Sequence, residues 1–301
     1  MEPVALIEPT VRGVAVTNLW EQVVLPLRAR HDVLVSLANS GPVIARRHVV
    51  AIHDTAHWDH PEWFSLPYRI KARSLNRSWA RTASHLLCPS ETVATNISRW
   101  LGRDAADITV VGNGHRWRGP MPEPAHERRP FVLAVGTIST RKNLGALLAA
   151  WPMVRRERPE LTLRIIGADG GHNFAGSAHR VDDPSIEYLG YVSDAALDQL
   201  IVEATSFVSP SLYEGFNIPI LDALTAGTPV AASDIDVHRE LFDGACSFAD
   251  PTDPTALAAS VLDASAATVA PATRDELRRT HSWAMVAHRI ESALEGVRRG
   301  T

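Results

Sequence analysis

The chain has 301 residues, a length that favours two domains. With 45% hydrophobic and 21% charged residues, 18 Gly and 20 Pro, its composition is that of a globular protein with a substantial core, which excludes disorder and collagen-like repeats. The net charge of -4 argues against a protein that coats a nucleic-acid backbone, and the two distant cysteines, Cys88 and Cys246, supply neither a disulfide framework nor a spaced-cysteine metal site.

No basic, apolar, cleavable leader is legible at the N-terminus, and no apolar run approaches the roughly 18 residues of a spanning helix. The expectation is a cytoplasmic chain, with any membrane contact peripheral at the inner face. Up to residue 115 there are 12 basic and 10 acidic residues, leaving 18 and 24 for the remainder, so the acidity sits in the second part. In chain order, MEPVALIEP and GVAV are candidates for a substitute first strand, followed by DVLVSLA (32–38), VVAI (49–52), HLLC (85–88) and ITVV (108–111). Between Glu62 and Glu91 no acid occurs, while Arg69, Lys71, Arg73, Arg77 and Arg81 do. Such a stretch, with Trp63, Tyr68 and Trp79 nearby, can rest on an acidic membrane through residues 69–81, although a solvated helix face explains the same pattern more simply. Ser90 is placed to cap a helix that reaches Leu101 and stops at Gly102.

RGPMPEPAHERRP then collects four prolines without an apolar period and reads as a linker. The expected units are a first domain over 1–115, a linker over 116–130, a second domain over 131–280 and a terminal helix over 281–301. In the second domain FVLAVG (131–136), LTLRIIG (161–167), IEYLGYV (186–192), SFVSPS (206–211), PVAAS (229–233) and CSFA (246–249) are predicted strands that alternate with helical patterns, the signature of a parallel sheet with helices on its faces. Ser193 and Asp253 open two of those helices, and the Ala-rich stretch at 263–272 reads as a loop.

Open parallel sheets bind ligands beyond the carboxyl ends of their strands, so the loops after the strands matter most. After SFVSPS comes LYEGFNIPILDALTAG, in which Gly215 allows a tight turn and Pro219 suits the first turn of a helix starting near Ile218. The free amides at that helix start attract phosphate. Glu214 and Asp222, with seven residues between them, can hold hydroxyls of two different parts of one ligand; taken alone, they are more simply a loop acid and a helix-start acid. After FVLAVG come the adjacent Arg141 and Lys142, a fork and a point charge suited to a departing diphosphate and slightly unfavourable at an ordinary helix start.

VGTISTRKNL, RIIG, IEYLGYVSDAALDQLI and SPSLYEGFNIPILDALTAGTPVAASD, in this order, resemble the nucleotide-sugar domain of the family 4 retaining glycosyltransferases. VVAIHDTAHWDHPEWFS, CPSETVATNISRWLG and DITVVGNG are similar to the same family's first domain, especially in its mannosyl- and rhamnosyltransferase-like members, and HSWAMVAHRIESAL to its final helix, which crosses back to that domain. The resemblance implies an α/β protein of GT-B fold, two Rossmann-like doubly wound domains facing a central cleft, with the first shortened. It implies retaining, metal-independent transfer of a hexose from a nucleotide sugar, GDP-mannose first and a deoxyhexose such as rhamnose next, to a glycan or lipid-linked saccharide, with no cofactor. By the same resemblance Glu214 holds donor-sugar hydroxyls, the amides of Gly215, Phe216 and Asn217, with Ile218 behind them, hold the diphosphate, and Asp222 holds the ribose. Arg141 and Lys142 neutralise the leaving group, Gly136 and Thr137 line the donor pocket, Tyr191 flanks the base, and His53 with Asp54 faces the sugar from the first domain. The chain departs from the family pattern at Asp222, where Glu is usual, at Asn217 in place of a second glycine, at Gly112 in place of a proline, and in having only about 30 residues before DVLVSLA.

Two other readings fit parts of the sequence. A non-catalytic subunit would keep the donor domain alone, a reading opposed by the presence of His53, Arg141, Lys142 and Glu214 together. A metal-dependent hydrolase would use His57, Asp59 and His60 of HDTAHWDH, but no downstream constellation accompanies them. Asp234-Ile-Asp236 is expected to cap a helix.

Overall fold

The computed structural model describes Ile7 and residues 14–167 and 181–299. Two parallel sheets divide the chain. The first holds β1 (Leu34–Ser36), β2 (His48–Ala51), β3 (His85–Cys88) and β4 (Ile108–Val110) in the order β1-β2-β3-β4. The second holds β5 (Arg129–Val135), β6 (Thr162–Ile166), β7 (Ile186–Gly190), β8 (Ala204–Ser209), β9 (Val230–Ser233) and β10 (Cys246–Ala249) in the order β10-β9-β8-β5-β6-β7. Every strand pair in both is parallel. In the second sheet the order reverses between β5 and β8, so a crevice opens at their carboxyl ends.

Helices cover both faces of the second sheet. α5 (Leu144–Glu157) and α9 (Pro254–Ala266) pack on one side around Trp151, whose buried indole gives its N–H to Ser185 Oγ at 2.9 Å. α6 (Asp194–Glu203), α7 (Ile218–Thr225) and α10 (Pro271–Thr280) pack on the other side, against Phe131, Leu133 and Phe207. In the first domain α3 (Leu66–Thr82) and α4 (Glu91–Leu101) bury Trp79, Val93 and Ile97 against Val50 and Leu86. Ser90 accepts from the Val93 amide at 3.3 Å to open α4, and Gly102, left-handed at φ 66°, closes it. The opposite face of this sheet is covered from the far end of the chain: α11 (Trp283–Arg299) lays Ile290, Ala293, Leu294 and Val297 on Val49, Ala51, Leu87 and Val111.

Two expectations change, and a third falls outside the described residues. GVAV runs into α1 (Val14–Arg28), not a strand: Trp20 and Leu25 turn to the core at helical spacing while Leu19, Val23 and Leu27 stay exposed. MEPVALIEP lies outside the described residues apart from Ile7, which packs against the Trp20 cluster. The Ala-rich stretch is mostly helical, because α9 runs to Ala266 with Ala258, Val261 and Ala264 buried and α10 starts at Pro271; alanine there fills a close helix–sheet contact.

Candidate functional site

The loops after β5 and β8, the two strands at the switch point, meet side by side. Ser139, Thr140, Arg141 and Lys142 form a single tight turn, which ends in Asn143 at φ 53°. Asn143 Nδ2 donates to Pro210 O at 3.0 Å and to Pro251 O at 2.7 Å, and Leu212 N donates to Arg141 O at 2.9 Å, so the two loops are stitched together. Between them lies a small cavity of about 30 Å³, lined in part by Gly136, Thr137, Lys142 and Ser211.

Glu214 is 7% exposed and carries one cation on each oxygen. Arg141 Nη1 donates to Oε2 at 2.6 Å and Lys142 Nζ to Oε1 at 2.5 Å. Burial by itself would raise this carboxyl; Lys142 and Arg141 overrule it and hold its pKa at about 2. The guanidinium of Arg141 responds in the same way: burial works to lower its pKa, and Glu214 and Asp54 raise it. Arg141 also reaches Tyr213 O at 3.2 Å. A carboxylate fixed in this manner accepts hydroxyl hydrogens, while five guanidinium and three ammonium hydrogens leave donors to spare for a phosphate.

Gly215 is required where it stands, because a Cβ there would lie 2.0 Å from His53 O. The first domain therefore touches the Glu214 loop through backbone. Ser90 Oγ adds a hydrogen bond to Gly215 O at 2.8 Å. His53 itself is turned aside: its amide donates to Asn39 Oδ1 at 2.9 Å and its Nε2–H to Leu37 O at 2.6 Å. Asp54 Oδ1 accepts from Ala56 N at 3.1 Å.

Phe216 is buried beside Phe242 and His281. Asn217 explains its own departure from glycine. It holds a left-handed φ of 79°, which asparagine tolerates better than other side chains, and its Nδ2 donates to Ser209 Oγ at 2.8 Å and His238 Nε2 at 2.9 Å. His238 Nδ1–H in turn donates to Ser233 O at 2.9 Å, so this buried ring is neutral, and burial lowers its pKa. α7 follows at Ile218 with Pro219 in its first turn.

Asp222 does not join Glu214. Only 3% exposed, it accepts the Arg116 amide at 2.8 Å from the segment between the domains and lines neither described cavity. Burial pushes its pKa up to about 7. Tyr191 follows Gly190 at the end of β7 and is 90% exposed.

The residues singled out as a metal set do not converge. His57 Nε2 is bonded to Asn76 Nδ2 at 3.3 Å, its carbonyl is held twice by Arg73, and burial lowers the ring's pKa. His60 stacks on Trp63 at 3.9 Å, while Asp59 is paired with Arg99 and with Trp100 Nε1. Among the described residues no group of three His, Cys, Asp or Glu side chains could hold a metal ion. That corrects the hydrolase reading: short-range spacing placed these residues on a helical turn and a following turn whose side chains point different ways. The basic stretch is likewise partly spent inside the protein. Arg69 reaches Pro61 O, and Arg73 and Arg77 lie over the Trp58 ring at 4.8 and 4.6 Å. Asp234 and Asp236 do not cap α8 (Asp236–Phe242) either, since Ile235 occupies the cap position and Asp234 forks onto Arg239.

What the motifs did not reveal is Tyr213. Its hydroxyl crosses to the first domain, 2.9 Å from Thr55 Oγ1 and donating to Asp59 Oδ2 at 3.2 Å. Leu212 and Tyr213 pack with Ala56, Trp63 and Phe64. Beside them, a cleft of about 360 Å³ is walled by Asp59, His60, Asn96 and Arg99 from one domain and by Tyr213, Glu214 and Asp236 from the other. Direct adjacency to Glu214 was the available signal, but a tyrosine's partner 154 residues away is not readable from sequence.

Residues 129–266, from β5 to the end of α9, match the family described as Glycosyl transferases group 1. The chain is 36% identical over 136 residues to O-antigen chain mannosyltransferase B of Escherichia coli, covering 44% of this chain and 36% of that one. It is 29% identical over 269 residues to a glycogen synthase of Mycobacterium tuberculosis, covering 84% and 64%. Phosphatidyl-myo-inositol mannosyltransferase of the same species is 31% identical over 170 residues, covering 52% and 44%. The chain thus spans between about a third and two thirds of these relatives' lengths. Of solved structures, sucrose-phosphate synthase from Thermosynechococcus elongatus superposes with a TM-score of 0.68 over 86% of this chain and 69% of its own, at 18% identity. Anabaena HepE in complex with UDP does so at 0.67 over 90% and 81%, at 16% identity. With residues 129–266 matching the group 1 glycosyl transferases and two parallel α/β domains around the cleft, the chain has the GT-B fold and is similar to the family 4 glycosyltransferases.

Proposed function

We propose that the chain is a retaining glycosyltransferase that moves a hexose from a nucleoside-diphosphate sugar to a glycan or lipid-linked saccharide. The observation that carries this reading is Glu214, buried at the cleft with Arg141 on one oxygen and Lys142 on the other. The carboxylate stays ionised and accepts donor-sugar hydroxyls. The two cations beside it stand where a leaving diphosphate gathers charge, and that is the work a metal ion would otherwise do. The acceptor oxygen bonds to the anomeric carbon on the face from which the diphosphate departs; the bond from carbon to phosphate oxygen breaks, and the acceptor's proton passes to a phosphate oxygen. Gly136 and Thr137 line the donor side, and the Gly215 to Ile218 turn lies under the diphosphate. Asp222 reaches a ribose only by giving up the Arg116 amide. His53 acts through its backbone against Gly215, with Asp54 supporting Arg141 electrostatically.

The mannosyltransferase relatives favour GDP-mannose as donor, whereas the solved neighbours crystallised with UDP make uridine the competing base. A thermal-shift panel of GDP, UDP, dTDP and ADP with their hexose conjugates, on wild type and Arg141→Ala, tests the reading. One nucleotide should stabilise the wild type by about 2.7 kcal/mol at 100 times its dissociation constant and leave the variant unmoved. Stabilisation by none of them, together with no release of nucleoside diphosphate, would support a non-catalytic subunit instead. Among the described residues no single helix is long and apolar enough to cross a membrane, and a lipid-linked acceptor is proposed to be met at a membrane surface. Lys71 and Arg81 on α3 are basic groups still exposed for that contact.

A further inference from the structure

Helix α4 belongs to the first domain, yet its N-terminal amides are closed by the second. Glu240, on α8, accepts from Glu91 N at 2.7 Å with one oxygen and from Thr92 N at 2.8 Å and Thr92 Oγ1 at 2.6 Å with the other. The third amide of that turn, Val93 N, goes to Ser90 Oγ, and the same hydroxyl donates to Gly215 O beside Glu214. A helix start leaves its first amides without internal partners, and a carboxylate is their best acceptor because it also meets the positive end of the helix dipole. Here the acceptor comes from across the cleft. Separation of the domains would therefore uncap α4 and release the Glu214 loop together.

We propose that Glu240 is an interdomain latch, a positioning residue that holds the cleft closed over the Glu214 loop through α4 and Ser90. Each part has a separate purpose in this arrangement: the two Glu240 oxygens span adjacent amides and the Thr92 hydroxyl, while Ser90 carries the closed geometry to Gly215. The latch sits on the exposed rim, so water competes for it and it can open during turnover. The consequence for turnover rests on the glycosyltransferase reading; the domain geometry does not.

Spin labels at Arg81→Cys on α3 and Asp263→Cys on α9, in a Cys246→Ser background, report the distance between the domains without any substrate. The wild type should give one dominant short distance. Glu240→Ala should raise the ratio of open to closed molecules about fivefold, the scale of a few exposed charge-assisted hydrogen bonds. Glu240→Gln, which keeps one carbonyl acceptor, should fall between the two, and circular dichroism should be the same for all three. Matching distance distributions for wild type and Glu240→Ala would overturn the proposal, as would a Gln variant no more closed than the Ala variant. If transfer is measured as well, the latch predicts that kcat falls in the same order as closure while donor binding in the second domain is kept. A loss of donor binding with unchanged distances would show that Glu240 acts otherwise.

Discussion

Glu214 and Asp222 lie eight residues apart, both are buried, and they are driven in opposite directions. Burial raises each of them; Glu214 alone has two cations in contact and ends at about 2, while Asp222 has one backbone amide and ends at about 7. Exposure to water therefore does not distinguish the acid proposed to hold a ligand from a structural one here. The partners do. Glu214 is a fixed negative charge at the cleft, and Asp222, whose pKa burial raises, ties the interdomain segment to α7.

The largest effect should come from breaking the charged side of that contrast. Arg141→Ala leaves a buried carboxylate with Lys142 alone and removes the bonds to Tyr213 O and Glu214 Oε2. Removing one partner from a buried ion pair costs about 3–5 kcal/mol, measured as a fall in urea stability at pH 7. The same contact gives an acid signature. Because the folded pKa of Glu214 is depressed, its contribution is present above the unfolded value near 4.5 and is lost as pH falls towards 2. Arg141→Ala should flatten that loss, and an unchanged acid limb would show that the pair contributes nothing.

Asp222→Asn tests the other side. Its folded pKa is raised, so its contribution is full below the unfolded value near 3.8 and is lost as pH rises towards 7. Asparagine keeps an oxygen for the Arg116 amide and has no charge to bury. The variant should match wild type near pH 4 and exceed it by roughly 3 kcal/mol at pH 8, read from urea midpoints across that range. A variant less stable than wild type at pH 8 would mean that the ionised carboxylate is well paired and that burial does not raise its pKa. Loss of nucleotide binding in the same variant would identify the ribose contact despite the buried position.

The contrast was half legible in the sequence. The strands of both sheets, the helix start at Ile218, and Arg141, Lys142 and Glu214 could be placed because each follows from a local pattern: an apolar run ending in glycine, a first-turn proline, two cations after a strand. Side-chain direction within a turn is local only in part. The rule that puts Asp222 one turn into a helix does not say whether it looks at the cleft or at Arg116, and a methylene shorter than the usual Glu, it is held at the latter. His53 was legible as a position at the cleft but not as a backbone contact. Glu240 and Tyr213 were invisible because their partners are about 150 residues away, and no period or spacing spans two domains.

The smallest expected effect sharpens the comparison across the cleft. Tyr213→Phe keeps the ring among Ala56, Trp63 and Phe64 and removes only the hydroxyl that meets Thr55 and Asp59. Thr55 Oγ1 still donates to Asp59 Oδ2 at 2.9 Å, and Arg99 and Trp100 still hold the other oxygen, so Asp59 does not become an unpaired buried charge. The cost should be about 1–2 kcal/mol, since the lost hydroxyl donates to the Asp59 carboxylate and accepts from the Thr55 amide and Asn96 Nδ2, each at 3.4 Å. A double-mutant cycle with Asp59→Asn places that cost: a coupling of about 0.5 kcal/mol or more assigns it to the bond across the cleft. Strict additivity would assign it to the hydroxyl's contacts with Thr55 and Asn96 instead, and the Glu214 loop would then be anchored from its own domain by Arg141 with no hold through the Tyr213–Asp59 bond.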